Sequence, residues 1–399
     1  MPLPNIIKHR LHAACGEAGF GLSFQFPGGV VHHFGRGDPV ATVVAKDGRG
    51  AAALRSMDVV RIGEAYLSDS IDIVGDICRV LSLRAHLSDR HPLLFLRRFL
   101  SPVLRGQVRS DKAWIAEHYD EDPDFFLLFL DGRHRSYSHG LFEHADEPLE
   151  QAMTRKLEFA LGAVGARAGD RILDIGGGWG AFVEFAGKRG MHVTSLTISE
   201  RSRSYIQDLI DRERLPCEVR LEHFFEHEPT EPYDAIVNLG VSEHLPDYDG
   251  TLRRYHDFLK PDGRVYLDAS ACRIKYRVSS FTERYIFPGN GSPLCLSDYL
   301  TSLSKSALEL ELVRNDRESY VLTCQRWAEN LDRHRDAVQH RWGVKRYRQF
   351  RIYLWGCVDG FRRDILQAYR LVLRRPSSMS SRASAASRGI RTRPSFAAD

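Results

Sequence analysis

The segment from Arg171 to Gly180 constrains the fold of this chain more than any other stretch. Its apolar residues predict a buried strand that stops at Asp174, and helix-compatible sequence follows from Ala181 to Lys188. Alternating glycines between them permit a sharp turn with positive φ and let a ligand lie against the backbone. A strand, a glycine turn and a helix are therefore predicted, with the turn as a candidate ligand site. Because such a turn also occurs in any tight strand-to-helix connection, the surrounding motifs must decide between these interpretations.

Further predicted strands alternate with helices in the same part of the chain. The strands cover 192–196, 235–239 and 263–267, and helices are predicted at 149–157 and 205–214. This alternation predicts an α/β fold with a parallel sheet, whose ligands gather at the carboxyl ends of the strands. Four polar residues follow predicted strands and are candidates for a single site: Asp174, Thr197, Glu243 and Asp268.

Composition excludes several classes of protein. The chain has 399 residues, of which 43% are hydrophobic, so it can bury a large core. A net charge of +4 is too small to indicate nucleic-acid binding. The sequence has no apolar run near the roughly 20 residues that span a bilayer and no signal-peptide pattern, so we expect a cytoplasmic protein. Seven scattered cysteines, with no CxxC pair and no clustered histidines, predict neither a disulfide framework nor a metal site.

The sequence pattern predicts a division into domains. Alternating residues and glycine turns in 1–90 indicate a small antiparallel sheet, which is followed by a linker at 91–111 and a second, larger domain at 112–375. The Leu, Phe and Arg residues from about 86 to 111 fit either a basic amphipathic helix at a membrane surface or a helix between domains. The Ser, Ala and Arg residues of 376–399 predict a disordered tail.

From about residue 20 to 375 the chain resembles the cyclopropane-fatty-acyl-phospholipid synthase family, which includes the mycolic acid cyclopropane synthases. The clearest shared motif is Leu-Asp-Ile-Gly-x-Gly-Trp-Gly at 173–180. Other shared motifs lie at 63–66, 119–131, 137–138, 197–199, 240–244, 284–288, 320–327 and 350–362. The resemblance implies a Rossmann-like class I S-adenosylmethionine methyltransferase domain with a small α+β amino-terminal domain. It also implies an enzyme that acts on unsaturated phospholipid acyl chains from the inner face of the membrane; a homodimer is left open.

The resemblance also assigns the cofactor site. It implies that S-adenosylmethionine is held by Tyr137, Ser138, Asp174, Gly176, Gly178, Gly180, Thr197 and Ser199. A glycine turn with free backbone amides suits this cofactor, and Asp174 can orient those amides or reach its amino group; a cap or turn carboxylate is the alternative role. Ser202 departs from the family, where glutamine is usual. The family acid for the adenine aligns nearer His223, which leaves Glu222 as a substitute.

Chemistry on a double bond requires two further groups. A carboxylate stabilises the positive charge that develops on an acyl carbon, and we assign Glu243 to this role. A base must then remove a proton. In the family this base is understood to be a bicarbonate held by five residues. Glu243 and Tyr320 match, whereas His139 replaces cysteine, Asp268 replaces histidine and Ser270 replaces isoleucine. Because the Asp268 carboxylate beside Glu243 would repel an anion unless His139 is protonated, we expect bicarbonate to be held weakly or not at all.

Several interpretations of these changes remain open. In the first, His139 or Asp268 replaces bicarbonate as the base, and the enzyme makes a ring or a methylene group. In the second, the acyl chain itself loses the proton, and a methylated chain results. We favour the second. In a third interpretation, His139 and Asp268 are paired to each other and the site is inactive. His244 is either a second acid or base or, as we prefer, a residue that holds Glu243.

Aromatic and basic residues suggest contacts with lipid. Tyr285 and Phe287 are candidates for the lining of an acyl tunnel. Arginine-rich stretches at 342–351 and 360–375 are predicted helices that either contact lipid phosphates or form a solvated face. An N-methyltransferase acting on a small amine and a non-catalytic lipid-binding protein are the alternative functions, and binding of S-adenosylmethionine would exclude the latter.

Overall fold

The computed structural model describes residues 5–89, 91, 122–287 and 291–377. Its amino-terminal part contains helices α1 (Asn5–Ala18), α2 (Gly48–Ser56), α3 (Val59–Leu67) and α4 (Ile77–Ser82). They accompany strands β1 (Gly21–Gln25), β2 (Val31–Phe34), β3 (Pro39–Ala45) and β4 (Ile71–Gly75), which form one sheet in the order β2–β1–β3–β4. Asp47, Asp58 and Asp76 begin α2, α3 and α4, and each side chain accepts a hydrogen bond from a backbone amide of the first turn.

The prediction of an antiparallel amino-terminal sheet is wrong for its central pair. β1 pairs antiparallel with β2, but it pairs parallel with β3 on its other side. The chain from β2 to β3 passes close to the start of β1, where a Cβ on Gly21 would lie 2.7 Å from the Gly37 carbonyl oxygen. Residue alternation identifies a strand and its buried face, but it does not identify the neighbouring strand.

The remainder of the chain forms a seven-stranded sheet in the order β10–β11–β9–β8–β5–β6–β7. The strands are β5 (Arg171–Ile175), β6 (His192–Thr197), β7 (Glu218–Leu221), β8 (Tyr233–Leu239), β9 (Leu259–Ala271), β10 (Glu309–Asn315) and β11 (Gln367–Arg374). The five strands from β7 to β9 are parallel, and β11 runs antiparallel to both of its neighbours. The predicted α/β fold with a parallel-rich sheet is confirmed.

Helices cover both faces of this sheet. The helices of this part of the chain are α5 (Pro123–Leu127), α6 (Leu149–Val164), α7 (Ala181–Gly187), α8 (Glu200–Glu213), α9 (Tyr248–Phe258), α10 (Ser280–Tyr285), α11 (Leu296–Leu303), α12 (Arg317–Arg333), α13 (Arg335–Trp342) and α14 (Val344–Arg362). One hydrophobic cluster joins α6, α7 and α8 to β5 and β8, and a second joins α9 and α11 to β8 and β9. The core therefore consists of two apolar layers on either side of one sheet.

Two predicted strand ends shift in ways that matter for the site. Asp174 lies inside β5, which ends one residue later at Ile175. Asp268 lies well inside β9, because this strand continues to Ala271 instead of stopping at residue 267. Antiparallel pairing with β11 extends as far as the Ala271–Gln367 pair. Asp268 is therefore held by regular strand pairing on both sides.

The helix predicted at 360–375 is wrong. α14 ends at Arg362, and β11 occupies 367–374 in the interior of the sheet. The arginines at 370 and 374 have helical spacing, which misled the prediction, but Arg370 reaches Asp316 and Arg374 reaches Glu309. These two arginines are engaged within the protein, which weighs against a lipid-contact role for this stretch.

Helix α14 joins the two parts of the structure. Buried Arg348 donates to the carbonyl oxygens of Tyr66 and Ile71 at 2.9 and 2.8 Å, and to Asp69 at 2.5 Å. Arg351, one turn later, donates to Asp332 at 2.9 Å. The arginines of the other predicted interfacial helix, 342–351, thus include two that bind inside the protein. No helix in the described ranges is long and apolar enough to cross a membrane.

The predicted domain boundaries stay predictions. Most of the linker at 91–111 and of the tail at 376–399 lies outside the described residues, as do Pro288 and the segment from Trp114 to Tyr119. The amphipathic helix proposed for 86–111 falls largely in the same region.

We predict that Arg348→Ala lowers the free energy of unfolding by about 2–4 kcal/mol, because it removes a buried guanidinium that donates to two backbone carbonyl groups and to Asp69. Arg341→Ala is the matched control, since the Arg341 side chain is 52% exposed and pairs with Asp122 and Asp124 at the surface. Its cost should stay below about 1 kcal/mol. Urea unfolding followed by circular dichroism and tryptophan fluorescence measures both; equal losses would contradict the joining role of Arg348.

Candidate active site

The glycine turn after β5 packs tightly against β6. The amides of Gly176 and Gly177 both donate to the Leu196 carbonyl oxygen, at 2.8 and 3.0 Å, and Gly180 donates to Gly177 at 2.9 Å. The prediction that the turn offers free amides is wrong at these three residues, since their hydrogens are used within the protein. The turn therefore lines the site with its backbone, while the amides of these three glycines donate to carbonyl groups of the protein.

A Cβ atom would be excluded at three of these glycines. It would lie 2.3 Å from Val241 at Gly176, 2.3 Å from Ser195 at Gly177 and 2.6 Å from Leu209 at Gly180. At Gly178, where φ is +54°, the nearest atom would be 3.8 Å away. Gly178 therefore faces open space on the side of the cavity that it lines.

The cavity at the carboxyl ends of β5, β6 and β8 is lined by most of the residues predicted for the cofactor. Tyr137 and Ser138 form one side, and Thr197 and Ser199 form another. Asp174, Gly176 and Gly178 lie between them. Gly180 does not line the cavity; it begins α7 with a positive φ of 76° and allows Leu209 to approach.

Asp174 is almost completely buried at the base of this cavity. Its carboxylate accepts a hydrogen bond of 2.7 Å from the Ser195 hydroxyl. Burial raises the pKa of Asp174 to about 6, and the hydrogen bond from Ser195 acts in the opposite direction. Among the described residues no helix amide donates to this carboxylate, so its negative charge suits a cationic ligand better than a cap.

Ser199 and Ser202 connect the turn to α8. Ser199 begins the helix, and its hydroxyl accepts from the Ser202 amide at 3.2 Å. The Ser202 hydroxyl donates to the Gly178 carbonyl oxygen at 2.5 Å. At the position where relatives usually carry glutamine, this chain therefore uses a short side chain to hold the glycine turn in place.

Glu222 and His223 line the far end of the cavity, after β7. The Glu222 carboxylate lies 2.8 Å from Nδ1 of His227, whose Nε2 lies 2.9 Å from the Tyr233 hydroxyl. The amide of Phe225 donates to Nδ1 of His223 at 3.1 Å. Both residues proposed for the adenine contact are therefore at the cavity, and the choice between them stays a prediction.

Glu243 lies just after β8, in a short 3₁₀ turn. Its Oε1 accepts from both the amide and the hydroxyl of Ser270, at 2.7 and 2.8 Å, whereas its Oε2 is buried without a hydrogen-bond partner among the described residues. Burial raises the pKa of Glu243 to about 7. Ser270 therefore holds the Glu243 carboxylate. His244 lines the cofactor cavity, and its predicted role of holding Glu243 stays a prediction.

His139 and Asp268 are not paired to each other. Nε2 of His139 lies 3.3 Å from the Asp316 carboxylate, and its ring packs 4.8 Å from the ring of Tyr320. Asp268 lies 3.5 Å from the Lys156 ammonium, and both side chains are fully buried. The interpretation of a direct His139–Asp268 pair is therefore wrong.

Lys156 connects this cluster to the cofactor cavity. Its ammonium donates to the hydroxyl of Ser138 and, at 3.3 Å, to that of Ser136, and both serines line the cavity. Burial lowers the pKa of Lys156, and the neighbouring Asp268 carboxylate opposes that shift.

Three functional candidates escaped the sequence reasoning. Lys156 carried a readable signal, because it occupies a core position of an amphipathic helix between Met153 and Ala160. Asp316 occupies the cap position before α12, but its side chain makes no cap bond there. Arg370 lies in the stretch misread as a helix, and its Nε is 3.5 Å from Asp316.

The two aromatic residues proposed for an acyl tunnel differ in their surroundings. The Phe287 ring lies 6.0 Å from that of His244 and 5.7 Å from that of Tyr353, next to the cavity. The Tyr285 hydroxyl instead donates to Glu64 of α3 at 2.7 Å. Phe287 thus fits a tunnel position better than Tyr285.

The profile of the mycolic acid cyclopropane synthetase family matches residues 107–371. The chain belongs to this family. Its predicted enzyme class, an S-adenosylmethionine-dependent methyltransferase, and the predicted cofactor are thereby confirmed at the level of the family.

Two proteins of known activity illustrate the range of enzymes to which this chain is similar. Sphingolipid C9-methyltransferase of Candida albicans is 27% identical over 78% of this chain and 65% of its own length. Cyclopropane mycolic acid synthase MmaA2 of Mycobacterium tuberculosis is 30% identical over 62% of this chain and 92% of its own length. The chain thus spans slightly less than two thirds of the length of the sphingolipid enzyme.

Solved structures agree with the fold of the family. The structure of MmaA2 from Mycobacterium tuberculosis superposes with a TM-score of 0.61 at 28% identity and covers 66% of this chain and 98% of its own. Coclaurine N-methyltransferase superposes with a TM-score of 0.64 over 79% of this chain and 99% of its own. Its identity of 18% shows a shared fold alone.

We predict that the affinity of this protein for S-adenosylmethionine falls as pH drops below about 6. The pKa of Asp174 is raised to about 6, so below that value the carboxyl group is protonated and offers no charge to a cation. Asp174→Asn should bind more weakly at pH 7.5 and should lack this pH step. Titration calorimetry between pH 5 and 8 measures both proteins; identical affinities and pH profiles would show that Asp174 does not face the cofactor.

Proposed function

We propose that this protein transfers a methyl group to the double bond of an unsaturated fatty acyl chain of a phospholipid and releases a methylated acyl chain. The observation that supports this proposal most strongly is the hydrogen bonding of the cluster formed by His139, Glu243, Asp268 and Ser270. The donors of this cluster bind protein acceptors, and the atoms left without protein partners are acceptors.

The cavity fits the cofactor of the family. Gly178 leaves open space where a side chain would intrude, and the buried Asp174 carboxylate offers negative charge to a cation. S-adenosylmethionine, when bound, supplies an electrophilic methyl group, and the carbon of the double bond that does not accept it becomes positively charged. Asp174, Gly178, Tyr137 and Ser138 are the residues that would hold it.

In this proposal Glu243 stabilises that positive charge. Ser270 fixes Oε1 with two hydrogen bonds, so the carboxylate has one orientation, and Oε2 is left without a protein partner. With a pKa of about 7, Glu243 can carry negative charge at neutral pH, although it is buried. A preorganised carboxylate in an apolar setting stabilises a developing cation more strongly than water does.

The same cluster offers few donors for a bicarbonate anion. Both donors of Ser270 go to Glu243, His139 Nε2 faces Asp316, and Lys156 serves Ser136, Ser138 and Asp268. Of the five positions, Tyr320 alone retains a hydroxyl for this purpose. Because Lys156 offsets the charge of Asp268, electrostatic repulsion between Asp268 and an anion is weakened. The shortage of hydrogen-bond donors is therefore the stronger argument against a bound bicarbonate.

Without a bound base beside the new methyl group, the proton leaves from the acyl chain. The product is then a methylated chain, and ring closure does not occur. This choice is compatible with relatives whose names record methyl transfer to a lipid, such as the sphingolipid C9-methyltransferase. The inner face of the membrane, where acyl chains of phospholipids are reached, stays a prediction for this protein.

An isotope label separates methyl transfer from ring formation. The purified protein is supplied with S-adenosylmethionine that carries a fully deuterated methyl group and with vesicles of an unsaturated phospholipid. We predict that mass spectrometry finds all three deuterium atoms in the modified acyl chain. Retention of two would demonstrate a ring or a methylene group, and would refute the proposed product.

Glu243→Gln is the control for the site. It has the same shape as glutamate and lacks the charge, so we expect labelled product to fall by at least about 100-fold. Binding of S-adenosylmethionine should be unchanged, since the cofactor residues named above are intact. Full activity of this variant would remove Glu243 from the mechanism.

A further inference from the structure

His139 belongs to a buried chain of charged groups. Its Nε2 lies 3.3 Å from Oδ2 of Asp316, and the same oxygen lies 3.5 Å from Nε of Arg370. His139 is fully buried, Asp316 is 7% exposed and Arg370 is 8% exposed. The three residues come from the Tyr137–Gly140 segment, the start of α12 and β11, so only the folded chain assembles them.

This contact fixes the tautomer of the histidine. A carboxylate accepts hydrogen bonds, so the neutral imidazole places its hydrogen on Nε2 and leaves a lone pair on Nδ1. Nδ1 is buried and has no hydrogen-bond partner among the described residues. Burying a basic nitrogen without a hydrogen-bond partner costs free energy. A bound group that donates a proton to Nδ1 would remove that cost.

The charges around His139 balance without a charge on the ring. Asp316 faces Arg370, and Asp268 faces Lys156, so each carboxylate has its own cation. Tyr320 packs against the histidine ring on one side and stacks on Phe361 at 4.2 Å on the other. A neutral imidazole in these surroundings is free to accept a proton, and Asp316 then stabilises the resulting imidazolium.

We propose that Nδ1 of His139 is the proton acceptor of the reaction and that Asp316 is its positioning residue. This inference rests on the proposed function. After methyl transfer, a C–H bond next to the positively charged acyl carbon breaks. Its electron pair forms the new carbon–carbon double bond, and the proton moves to Nδ1. Asp268, the other candidate base, also has two carboxylate oxygens without hydrogen-bond partners among the described residues, but it lies 3.5 Å from the fully buried Lys156 ammonium. Protonation of Asp268 would leave that buried cation without its counter-charge, whereas protonation of His139 creates a cation that faces the Asp316 carboxylate.

The test compares three variants, and circular dichroism first checks that each is folded. In His139→Gln the amide nitrogen lies near the position of Nε2, so the bond to Asp316 can be kept while the basic nitrogen is lost. Asp316→Asn keeps the shape and removes the charge that sets the tautomer. The double variant Asp268→Asn/Lys156→Met removes the competing base together with its cation, so no buried charge is left uncompensated.

We expect His139→Gln to lower kcat by about 10²–10⁴-fold, the usual contribution of a general base. Asp316→Asn should lower kcat less, and neither variant should change the dissociation constant of S-adenosylmethionine. An acyl chain deuterated next to its double bond should show a larger isotope effect on product formation in both variants than in the parent protein. A purely structural role would leave this isotope effect unchanged.

Three results would overturn the inference. They are a kcat of His139→Gln close to that of the parent, an isotope effect that neither variant alters, and loss of activity in the Asp268/Lys156 double variant while His139→Gln stays active. Labelled methyl transfer by the parent protein is measured first. If the parent transfers no methyl group to lipid, the proposed function fails; if it does and His139→Gln is unaffected, only the role of His139 fails.

Discussion

The Lys156 ammonium lies between the Ser138 hydroxyl and the Asp268 carboxylate, in a position from which water is excluded. A buried cation is tolerated when it is paired and hydrogen-bonded, and here both conditions are met. The contact ties α6 to the interior of β9 and to the segment that forms one side of the cofactor cavity. Removal of either charge would leave the other buried alone, so the two sides of the site are stabilised together.

This arrangement determines what the neighbouring residues can do. Because Lys156 serves Asp268 and the two serines, it offers no ready bond to an anion. Ser270 is likewise committed to Glu243, and His139 to Asp316. The atoms of these residues that lack hydrogen-bond partners in the described part of the chain are Oε2 of Glu243, Nδ1 of His139 and both carboxylate oxygens of Asp268, all of them acceptors. Such a site stabilises a cation and accepts a proton, which are the two requirements of methyl transfer to a double bond.

The sequence predicted the elements whose signals are local. The strand, glycine turn and helix around Asp174 were found because each leaves a distinct pattern within a few residues, and shared motifs supplied the cofactor. Pairing partners were harder. The parallel contact of β1 with β3 depends on where the chain turns, and β11 was misread because Arg370 and Arg374 have helical spacing while their partners lie far away in the sequence.

The candidate site shows the same limit. Its changed positions at 139, 268 and 270 could be identified one by one, yet their partners could not. Ser270 binds Glu243 from the far end of a strand longer than predicted, and Asp316 reaches His139 across 177 positions of sequence. Lys156 of α6 is the exception, because a charged residue on the apolar face of a predicted helix indicates a buried partner.

Dependence on bicarbonate measures most directly whether this cluster of acceptors replaces a bound anion. Initial rates of methyl transfer are compared in buffer freed of carbon dioxide and in the same buffer with added bicarbonate at constant pH and ionic strength. A site whose donors are committed to the protein predicts equal rates. A rate that collapses without bicarbonate and recovers on its addition would show that the anion is bound and used, and would contradict the assignment of these residues.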